Sequence, residues 1–261
     1  MQQTAPLAWP PQLRPQAAAE QARASALLLA DSEAPERGPK PMLHGLTERE
    51  TALVMERARR RVLYRGATLF TQETPHDGIW LIETGRIRVF YAAPTGREIT
   101  LAYWYPGNFV GGPEVFGAGQ HCWSGMAASN SSVLHLPGRT LKELVTQIPT
   151  LAVNVIEGVA FKGKCYSALA QMLGTRSITE RLAHLLLHLA DLYGVEEEGG
   201  GVTIAAAFTH ADLAHMVGAT RQWITISLKR MSAQGVLEVR RSQIVLRKPD
   251  VLAQMKSGGD A

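Results

Sequence analysis

Residues 209–234, THADLAHMVGATRQWITISLKRMSAQ, decide the architecture of the C-terminal part of the chain. The pattern predicts one helix over Thr209–Val217 and a second over Thr220–Gln234, because Gly218 between them favours a turn. In the second helix, apolar residues such as Ile224 recur on one face and polar residues occupy the other. Two short helices joined by a glycine turn are typical of a helix-turn-helix, whose second helix can enter the major groove of DNA.

The outward face of the second helix carries side chains that suit base edges and phosphates. Arg221 matches the acceptors O6 and N7 of guanine, and Gln222 matches N6 and N7 of adenine. Over residues 205–250, seven Lys and Arg residues outnumber three Asp and Glu residues, so positive charge is concentrated where phosphates would lie. An ordinary helical hairpin with a solvated basic face is the alternative interpretation. The predicted DNA-binding residues are Arg221, Gln222, Thr225, Thr220, Lys229, Arg240 and Arg241.

Upstream of this motif, the segment Tyr64–Leu136 alternates short apolar runs with turn residues. The turn Thr84-Gly85 predicts a hairpin between the strands on either side of it. Pro94-Thr95-Gly96 closes a second hairpin that leads into Glu98–Trp104. Many short strands separated by glycine-containing turns predict a β-sandwich or a jelly-roll barrel.

Two capping boxes mark helix starts outside the strand region. Thr47 with Glu50 predicts a helix whose C-terminal end carries the basic triplet Arg59–Arg61, a placement that the helix dipole favours. Ser177 with Glu180 predicts a helix that extends to about Tyr193. The acidic, glycine-rich Glu196–Gly201 is predicted as a loop, and the alternating segment Val236–Arg247 is predicted as a small hairpin.

A long helix is predicted from Pro149 to about Leu173, with a hinge at Gly174-Thr175. Its apolar residues lie on more than one side, so it needs cover from its own domain and from a partner. The sequence therefore predicts a homodimer that forms through this helix. Gly158 and Gly163 are interpreted as small residues that let two helices approach closely.

Composition restricts the class of protein. The chain has 261 residues, 46% of them hydrophobic, and a net charge of +4. No apolar run is long enough to span a membrane, and no signal peptide is recognised, so we expect a cytoplasmic protein without a membrane partner. Residues 1–42, rich in Pro and Ala, are predicted to be a disordered extension. No nucleophile elbow, dinucleotide fingerprint or metal-ligand set is found, so neither an enzyme nor a metal site is predicted.

The order of these elements resembles the CRP/FNR family, the bacterial transcription regulators related to the cyclic AMP receptor protein. The stretches that carry the resemblance are Gly78–Val89, Gly96–Leu101, Pro106–Gly111 and Asp212–Met231. The resemblance implies an α+β fold with a β-roll sensor domain (43–148), a dimerisation helix (149–174) and a winged helix-turn-helix domain (175–255). It also implies a palindromic double-stranded DNA operator and RNA polymerase as partners.

Departures from the family pattern bear on the effector. Cyclic-nucleotide binders of this family carry a Glu after the glycine that matches Gly111, and an Arg-Ser pair further on. Here those positions are Gly112, Cys122 and Trp123, so a cyclic phosphate would lose its charged partner. The resemblance then implies a small, uncharged or aromatic effector instead of cyclic AMP. The predicted effector-binding residues are Trp80, Trp104, Phe109, Gly111, Gly112, Cys122, Trp123, Tyr166 and Ser167.

Two alternatives within the family and one outside it stay open. His121-Cys122 supplies residue types that can ligate haem iron, although no cofactor is predicted as the first choice. Cys122 or Cys165 could act as a thiol redox sensor. A β-roll is also found in cupin-type metalloenzymes, but no convergent set of His and carboxylate residues supports that class.

Overall fold

The structure is a computed structural model that describes residues 40–117, 119–198, 200–206, 208–240 and 243–258. Its helices are α1 (Glu48–Arg57), α2 (Gly138–Gln147), α3 (Pro149–Thr175), α4 (Ile178–Tyr193), α5 (His210–Val217), α6 (Arg221–Ala233) and α7 (Pro249–Lys256). Its strands are β1 (Arg59–Leu63), β2 (Thr68–Phe70), β3 (Gly78–Thr84), β4 (Ile87–Ala92), β5 (Glu98–Trp104), β6 (Phe109–Val110), β7 (Ser124–Ala127), β8 (Ser131–Pro137), β9 (Gly194–Glu196), β10 (Val202–Ile204), β11 (Leu237–Arg240) and β12 (Gln243–Leu246).

Two antiparallel four-stranded sheets form the N-terminal β-roll. One has the strand order β1-β8-β3-β6 and the other β2-β7-β4-β5. Trp80 from the first sheet and Trp104 from the second are buried in one cluster between them. A second cluster packs α1, α2 and the first half of α3 on the outer face of the first sheet, around Leu81 and Leu151. The predicted α+β architecture, with a β-roll, a long helix and a C-terminal helix-turn-helix, is confirmed.

The turn at Thr84-Gly85 does not close a hairpin, and that prediction is wrong. Strand β3 pairs with β6 and β8, whereas β4 pairs with β5 and β7, so the chain crosses between sheets at this turn. Gly85 has a φ of 83°, and a Cβ there would lie 2.7 Å from the Cα of Ser131. Turn chemistry alone cannot distinguish a hairpin from a crossing, because the pairing partners are distant in sequence. The second predicted hairpin, β4–β5, is confirmed.

The basic triplet Arg59–Arg61 also differs from its prediction. Helix α1 ends at Arg57, the next residue Ala58 has an extended backbone, and the triplet forms the first part of β1. Strand β1 pairs with β8 over its whole length, and the Arg60 guanidinium binds both carboxylate oxygens of Glu83 at 2.6 and 2.7 Å. Pairing with a distant strand therefore outweighs the modest attraction between arginines and a helix C-terminus.

The helix-turn-helix follows its sequence signals closely. Thr209 forms a full capping box with Asp212, and Gly218 ends α5 in the left-handed conformation at a φ of 64°. Thr220 caps α6 by accepting a hydrogen bond from the Trp223 backbone at 3.1 Å. Strands β9 and β10, which flank the predicted acidic loop, join the predicted hairpin β11–β12 in one sheet. Helices α2 and α7 and the hairpin β9–β10 were not predicted.

The long helix α3 runs through both residues of the expected hinge. Gly174 and Thr175 are helical, and the chain first leaves the helix at Arg176, which has a φ of −115° and a ψ of 141°. Residues 1–39, most of the predicted disordered extension, lie outside the described residues. Met42, in contrast, is buried, and its carbonyl accepts a hydrogen bond from the Asn154 amide at 3.0 Å. None of the helices in the described ranges combines the length and the apolar character that a membrane crossing requires.

The two glycines of α3 are expected to respond oppositely to the same substitution. A Cβ at Gly158 would lie 2.6 Å from the buried Phe109 ring, whereas none of the described atoms lies within 4 Å of a Cβ at Gly163. We expect Gly158→Ala to lower the free energy of unfolding by about 1–3 kcal/mol through overpacking. Gly163→Ala should raise it by up to about 1 kcal/mol through helix propensity. Urea denaturation measures both, and a destabilising Gly163→Ala would instead support close helix–helix packing at that position.

Candidate functional site

The N-terminal end of helix α6 carries exposed polar side chains, and the buried side of the helix packs in the core of the C-terminal domain. Ile224 and Leu228 are buried in the C-terminal core, and this fixes the rotation of the helix about its axis. Gln222 is exposed on the opposite face, and Arg221 is exposed in the first turn of the helix. Lys229 is exposed two turns further along. The structure therefore places three of the predicted DNA-binding side chains where a groove and its phosphates could reach them.

Thr225 is held by contacts within the domain. Its hydroxyl donates to the Arg221 carbonyl at 2.9 Å and lies 2.8 Å from Nδ1 of His210 at the start of α5. These contacts join the two helices of the motif. Thr220 is exposed, and its hydroxyl caps α6. Both threonines thus have a structural task in addition to any contact with DNA.

Arg240 lies on β11 in a surface ion-pair network. Its guanidinium contacts Glu238 at 2.7 Å and Glu197 at 2.8 Å, and Arg247 contacts the same two carboxylates. Hydrogen bonds from Arg240 and Arg247 lower the pKa of Glu238 to about 2. A phosphate contact by Arg240 would have to compete with these carboxylates. Arg241, the other predicted contact on this hairpin, lies outside the described residues.

Ile226 is a surface residue of α6 that sequence reasoning did not select. Its side chain is 59% exposed although it is apolar, and it lies on the same helix as Arg221 and Gln222. An exposed apolar side chain on a helix that enters the major groove suits the methyl group of thymine. The available signal was its position outside the inward stripe of Ile224 and Leu228.

Four predicted effector-binding residues come together inside the roll. Trp80, Trp104, Trp123 and Tyr166 belong to one apolar cluster, and the Trp123 and Tyr166 ring centroids are 5.2 Å apart. Trp104 is fully buried, whereas Trp123 and Tyr166 are half-buried. The Trp123 indole donates to the Gly111 carbonyl at 2.9 Å. Trp123 thus links the loop at Gly111 to helix α3.

Lys162 of α3 connects Trp104 with Phe109, which belongs to the second cluster. Its amine lies 3.8 Å from the Trp104 ring centroid and 4.1 Å from that of Phe109, both within the range of cation–π contacts. Burial lowers the pKa of this amine to about 7. Sequence reasoning missed Lys162, because a lysine in a helix gives no sign of aromatic neighbours.

The other predicted effector residues do not belong to this apolar cluster. Cys122 and Ser167 are exposed. Gly112 lies against the His76 ring, and a Cβ at Gly112 would be 2.8 Å from Nε2 of His76. Cys165 is buried, and burial raises the pKa of its thiol to about 12, which disfavours the reactive thiolate.

Glu98 joins the β-roll to the C-terminal domain. Its carboxylate lies 2.8 Å from Nη2 of the buried Arg88 and 3.7 Å from Nδ1 of His215 on α5. Arg88 also donates to the Thr100 hydroxyl at 2.8 Å. Tyr103, at the end of the same strand, is buried in the core of the C-terminal domain. The helix-turn-helix is thus in direct contact with a strand of the roll.

Comparisons with known proteins agree with this arrangement. Residues 60–147 match the cyclic nucleotide-binding domain, and residues 180–255 match the Crp-like helix-turn-helix domain. The cyclic AMP receptor protein of Thermus thermophilus is 24% identical over 218 residues, or 84% of this chain and 97% of that protein. The fumarate and nitrate reduction regulatory protein of Escherichia coli is 24% identical over 197 residues, or 76% and 78%.

A solved structure of another regulator has a similar fold. The c-di-GMP responsive global regulator CLP of Xanthomonas campestris is similar with a TM-score of 0.68 and 17% identity, over 77% of this chain and 99% of that one. The two domain matches together span more than half of this chain, and they describe a DNA-binding regulator rather than an enzyme. The chain belongs to the CRP/FNR family of DNA-binding transcription regulators.

Proposed function

We propose that the chain acts as a homodimer that binds a palindromic operator and RNA polymerase, and that a small uncharged or aromatic effector controls it. The observation that supports DNA binding is the N-terminal end of α6, where exposed side chains provide hydrogen-bond donors. Arg221 and Gln222 are exposed at the start of a helix that Ile224 and Leu228 anchor in the core. Side chains on a fixed helix can read base edges without first being ordered.

The proposed dimer rests on the unpartnered side of α3. Val153 and Ile156 are 53% and 66% exposed, while Leu151 and Val155 on the other side are buried against the roll. A second copy of this helix would cover these two exposed apolar residues. The second apolar side that the sequence pattern left for a partner is instead largely buried within the chain, at Cys165, Leu169 and Met172. Family operators with two half-sites one helical turn apart require two recognition helices, so the dimer and the operator are linked.

The proposed effector class rests on the residues around Gly111. The positions at which cyclic-nucleotide binders of the family carry Glu, Arg and Ser hold Gly112, Cys122 and Trp123. The names of two relatives specify cyclic AMP and c-di-GMP, so the shared fold does not specify one effector. An effector that moves Trp123 would act on α3 through Tyr166, and from there on the extended Arg176 before α4.

Native mass spectrometry of the full chain, without added ligand, tests this proposal. A dimer, bare or with a small organic adduct, is the expected result. A monomer would contradict the role of α3. A haem-sized adduct would contradict the proposed effector class and would indicate haem, the alternative suggested by His121-Cys122. The contacts of the His121 ring disfavour that alternative, because Phe70 stacks on it at 4.5 Å and His76 lies at 4.4 Å.

Arg221→Ala is expected to weaken binding to the specific operator about 5- to 150-fold, equivalent to about 1–3 kcal/mol, and to relax specificity at one base pair. The guanidinium is exposed and free to form two hydrogen bonds with a guanine, which alanine cannot replace. Fluorescence anisotropy with the operator and its single-base variants measures both effects.

Lys229→Ala is the matched control on the same helix. It should weaken binding to all sequences about equally and reduce the salt slope by about 1, because a phosphate contact carries no sequence information. An equal loss on specific and random DNA for Arg221→Ala would contradict its role as a base reader.

A further inference from the structure

Two hydrogen bonds connect the helices of the helix-turn-helix at one side chain, that of Thr225. Its hydroxyl oxygen lies 2.9 Å from the carbonyl oxygen of Arg221, one turn earlier on α6, and 2.8 Å from Nδ1 of His210. His210 is the first residue of α5. Thr225 and His210 are both half-buried, so the contact between the two helices is partly accessible from the surface.

The direction of both hydrogen bonds follows from the atoms that take part. A carbonyl oxygen can only accept, so the single proton of the Thr225 hydroxyl points to the Arg221 carbonyl. Without a proton between them, two oxygen atoms at this distance would repel each other. Nδ1 of His210 therefore donates to the hydroxyl oxygen, and the ring carries a proton on that nitrogen. Once both bonds are formed, the Thr225 hydroxyl keeps one free lone pair and has no proton left to donate.

The place of His210 is fixed by the start of α5. Thr209 caps this helix, and its backbone nitrogen and its hydroxyl both donate to Oδ2 of Asp212, at 2.9 and 2.7 Å. Leu213 of α5 and Ile224 of α6 are buried in one core, which holds the two helices against each other. The imidazole donor is therefore held at a constant place beside α6, and the hydroxyl that it binds cannot rotate without losing a hydrogen bond.

We propose that His210 is a positioning residue that makes the Thr225 hydroxyl an acceptor only, so that α6 selects adenine or cytosine at the base that Thr225 contacts. The role rests on the proposed function, in which α6 enters the major groove. There, N6 of adenine and N4 of cytosine are hydrogen-bond donors, whereas guanine and thymine present acceptors and the thymine methyl group. A freely rotating hydroxyl would serve donors and acceptors alike. The hydroxyl held by His210 disfavours guanine and thymine, because two acceptors would face each other.

Base preferences of the full chain and its variants test this role. The probe is a duplex that the wild-type chain selects from a random pool, with each of the four bases placed at every half-site position, and fluorescence anisotropy measures binding. At one position, the wild type should bind adenine or cytosine about two- to tenfold more tightly than guanine or thymine. Thr225→Val identifies that position, because valine has the same shape as threonine but no hydroxyl, and the preference there should disappear.

His210→Asn and His210→Leu form the matched pair of variants at the histidine. The amide nitrogen of asparagine is as many bonds from the backbone as Nδ1 of histidine, so this variant keeps a donor beside Thr225. Leucine has a similar branched shape but no donor. We expect His210→Asn to retain the preference for adenine or cytosine and His210→Leu to lose most of it, whereas a purely structural role for the ring would not restore the preference with asparagine.

A double-variant cycle separates this role from a general loss of structure. In the Thr225→Val background, His210→Leu should not change the base preference further, because the hydroxyl is already absent. The preference at the base pair that Arg221 contacts should persist in all these variants. The proposal would be overturned by a preference for guanine or thymine at the Thr225 position, by a Thr225→Val variant that keeps the wild-type preferences, or by equal preferences in His210→Leu and the wild type.

The protonation of the His210 ring is a second measurement, and it requires no variant. The nitrogen chemical shifts of the wild-type imidazole should show a protonated Nδ1, and an unprotonated Nδ1 would overturn the direction of the two hydrogen bonds. This measurement decides if the circular dichroism spectrum shows that His210→Leu does not fold. A wild-type chain that selects no sequence while Nδ1 is protonated would contradict DNA recognition by α6 itself, so failure of the proposed function is recognised separately.

Discussion

Replacing Trp104 with alanine is expected to lower the free energy of unfolding by about 3–5 kcal/mol. Trp104 is fully buried between the two sheets of the roll. Its ring also contacts Phe161 edge-on at 6.3 Å and lies under the Lys162 amine at 3.8 Å. Alanine would leave a cavity at the junction of β5 and α3 and would remove the ring on which that amine rests.

Urea denaturation measures this effect, provided that the slope with denaturant is unchanged. Trp123→Ala is the matched control, because Trp123 belongs to the same cluster but is only half-buried. It should cost less stability than Trp104→Ala. If Trp104→Ala costs under about 1 kcal/mol, the interior of the roll is an open pocket, and Trp104 would be an effector contact rather than part of the core.

Replacing Glu98 with glutamine is expected to lower the free energy of unfolding by about 3 kcal/mol. The substitution leaves the buried Arg88 guanidinium without its carboxylate, and breaking a buried ion pair in this way typically costs about 3–5 kcal/mol. We expect the lower end of this energy range because the Glu98 side chain is 28% exposed and partly hydrated. The substitution also weakens the contact with His215, so we expect a change in operator affinity as well.

Glu83→Gln provides the comparison within the same domain. Glu83 forms a pair of hydrogen bonds with Arg60 at 2.6 and 2.7 Å, but the Arg60 side chain is 59% exposed. Exposed pairs contribute about 0–1 kcal/mol, so this variant should be nearly as stable as the wild type. Urea denaturation of both variants measures the loss of stability, and operator titrations measure the change in affinity for DNA. Equal, small losses would contradict the assignment of Glu98 as the link between the two domains.

Features that depend on a few neighbouring residues were predicted well. The two predicted capping boxes, at Thr47 and Ser177, are complete in the structure, and Thr209 forms a third at the predicted start of α5. Gly218 adopts the left-handed conformation that the turn of the helix-turn-helix requires. Each of these features is stabilised by contacts within about one helical turn, so the local sequence contains the necessary information.

Features that depend on distant pairing were not predictable in the same way. The turn at Gly85 and the triplet Arg59–Arg61 both have local signals that fit another structure. Strand β8, more than 40 residues further along the chain, pairs with both β1 and β3 and decides both cases. Likewise, the aromatic residues of the roll could not be divided into core and site, because the sequence does not reveal that Trp104 is buried while Cys122 and Ser167 are exposed.

The sequence by itself determined the succession of β-roll, long helix and helix-turn-helix, together with the polar side chains at the start of α6. Periodicity and capping are properties of contiguous residues, so they can be recognised in the sequence before the fold is known. Only the tertiary structure decided that Lys162 lies between two aromatic rings, that Glu98 contacts Arg88 and His215, and that two histidines meet at one end of the roll. These arrangements join residues far apart in the chain, and their proximity, burial and charge state exist only after the chain has folded.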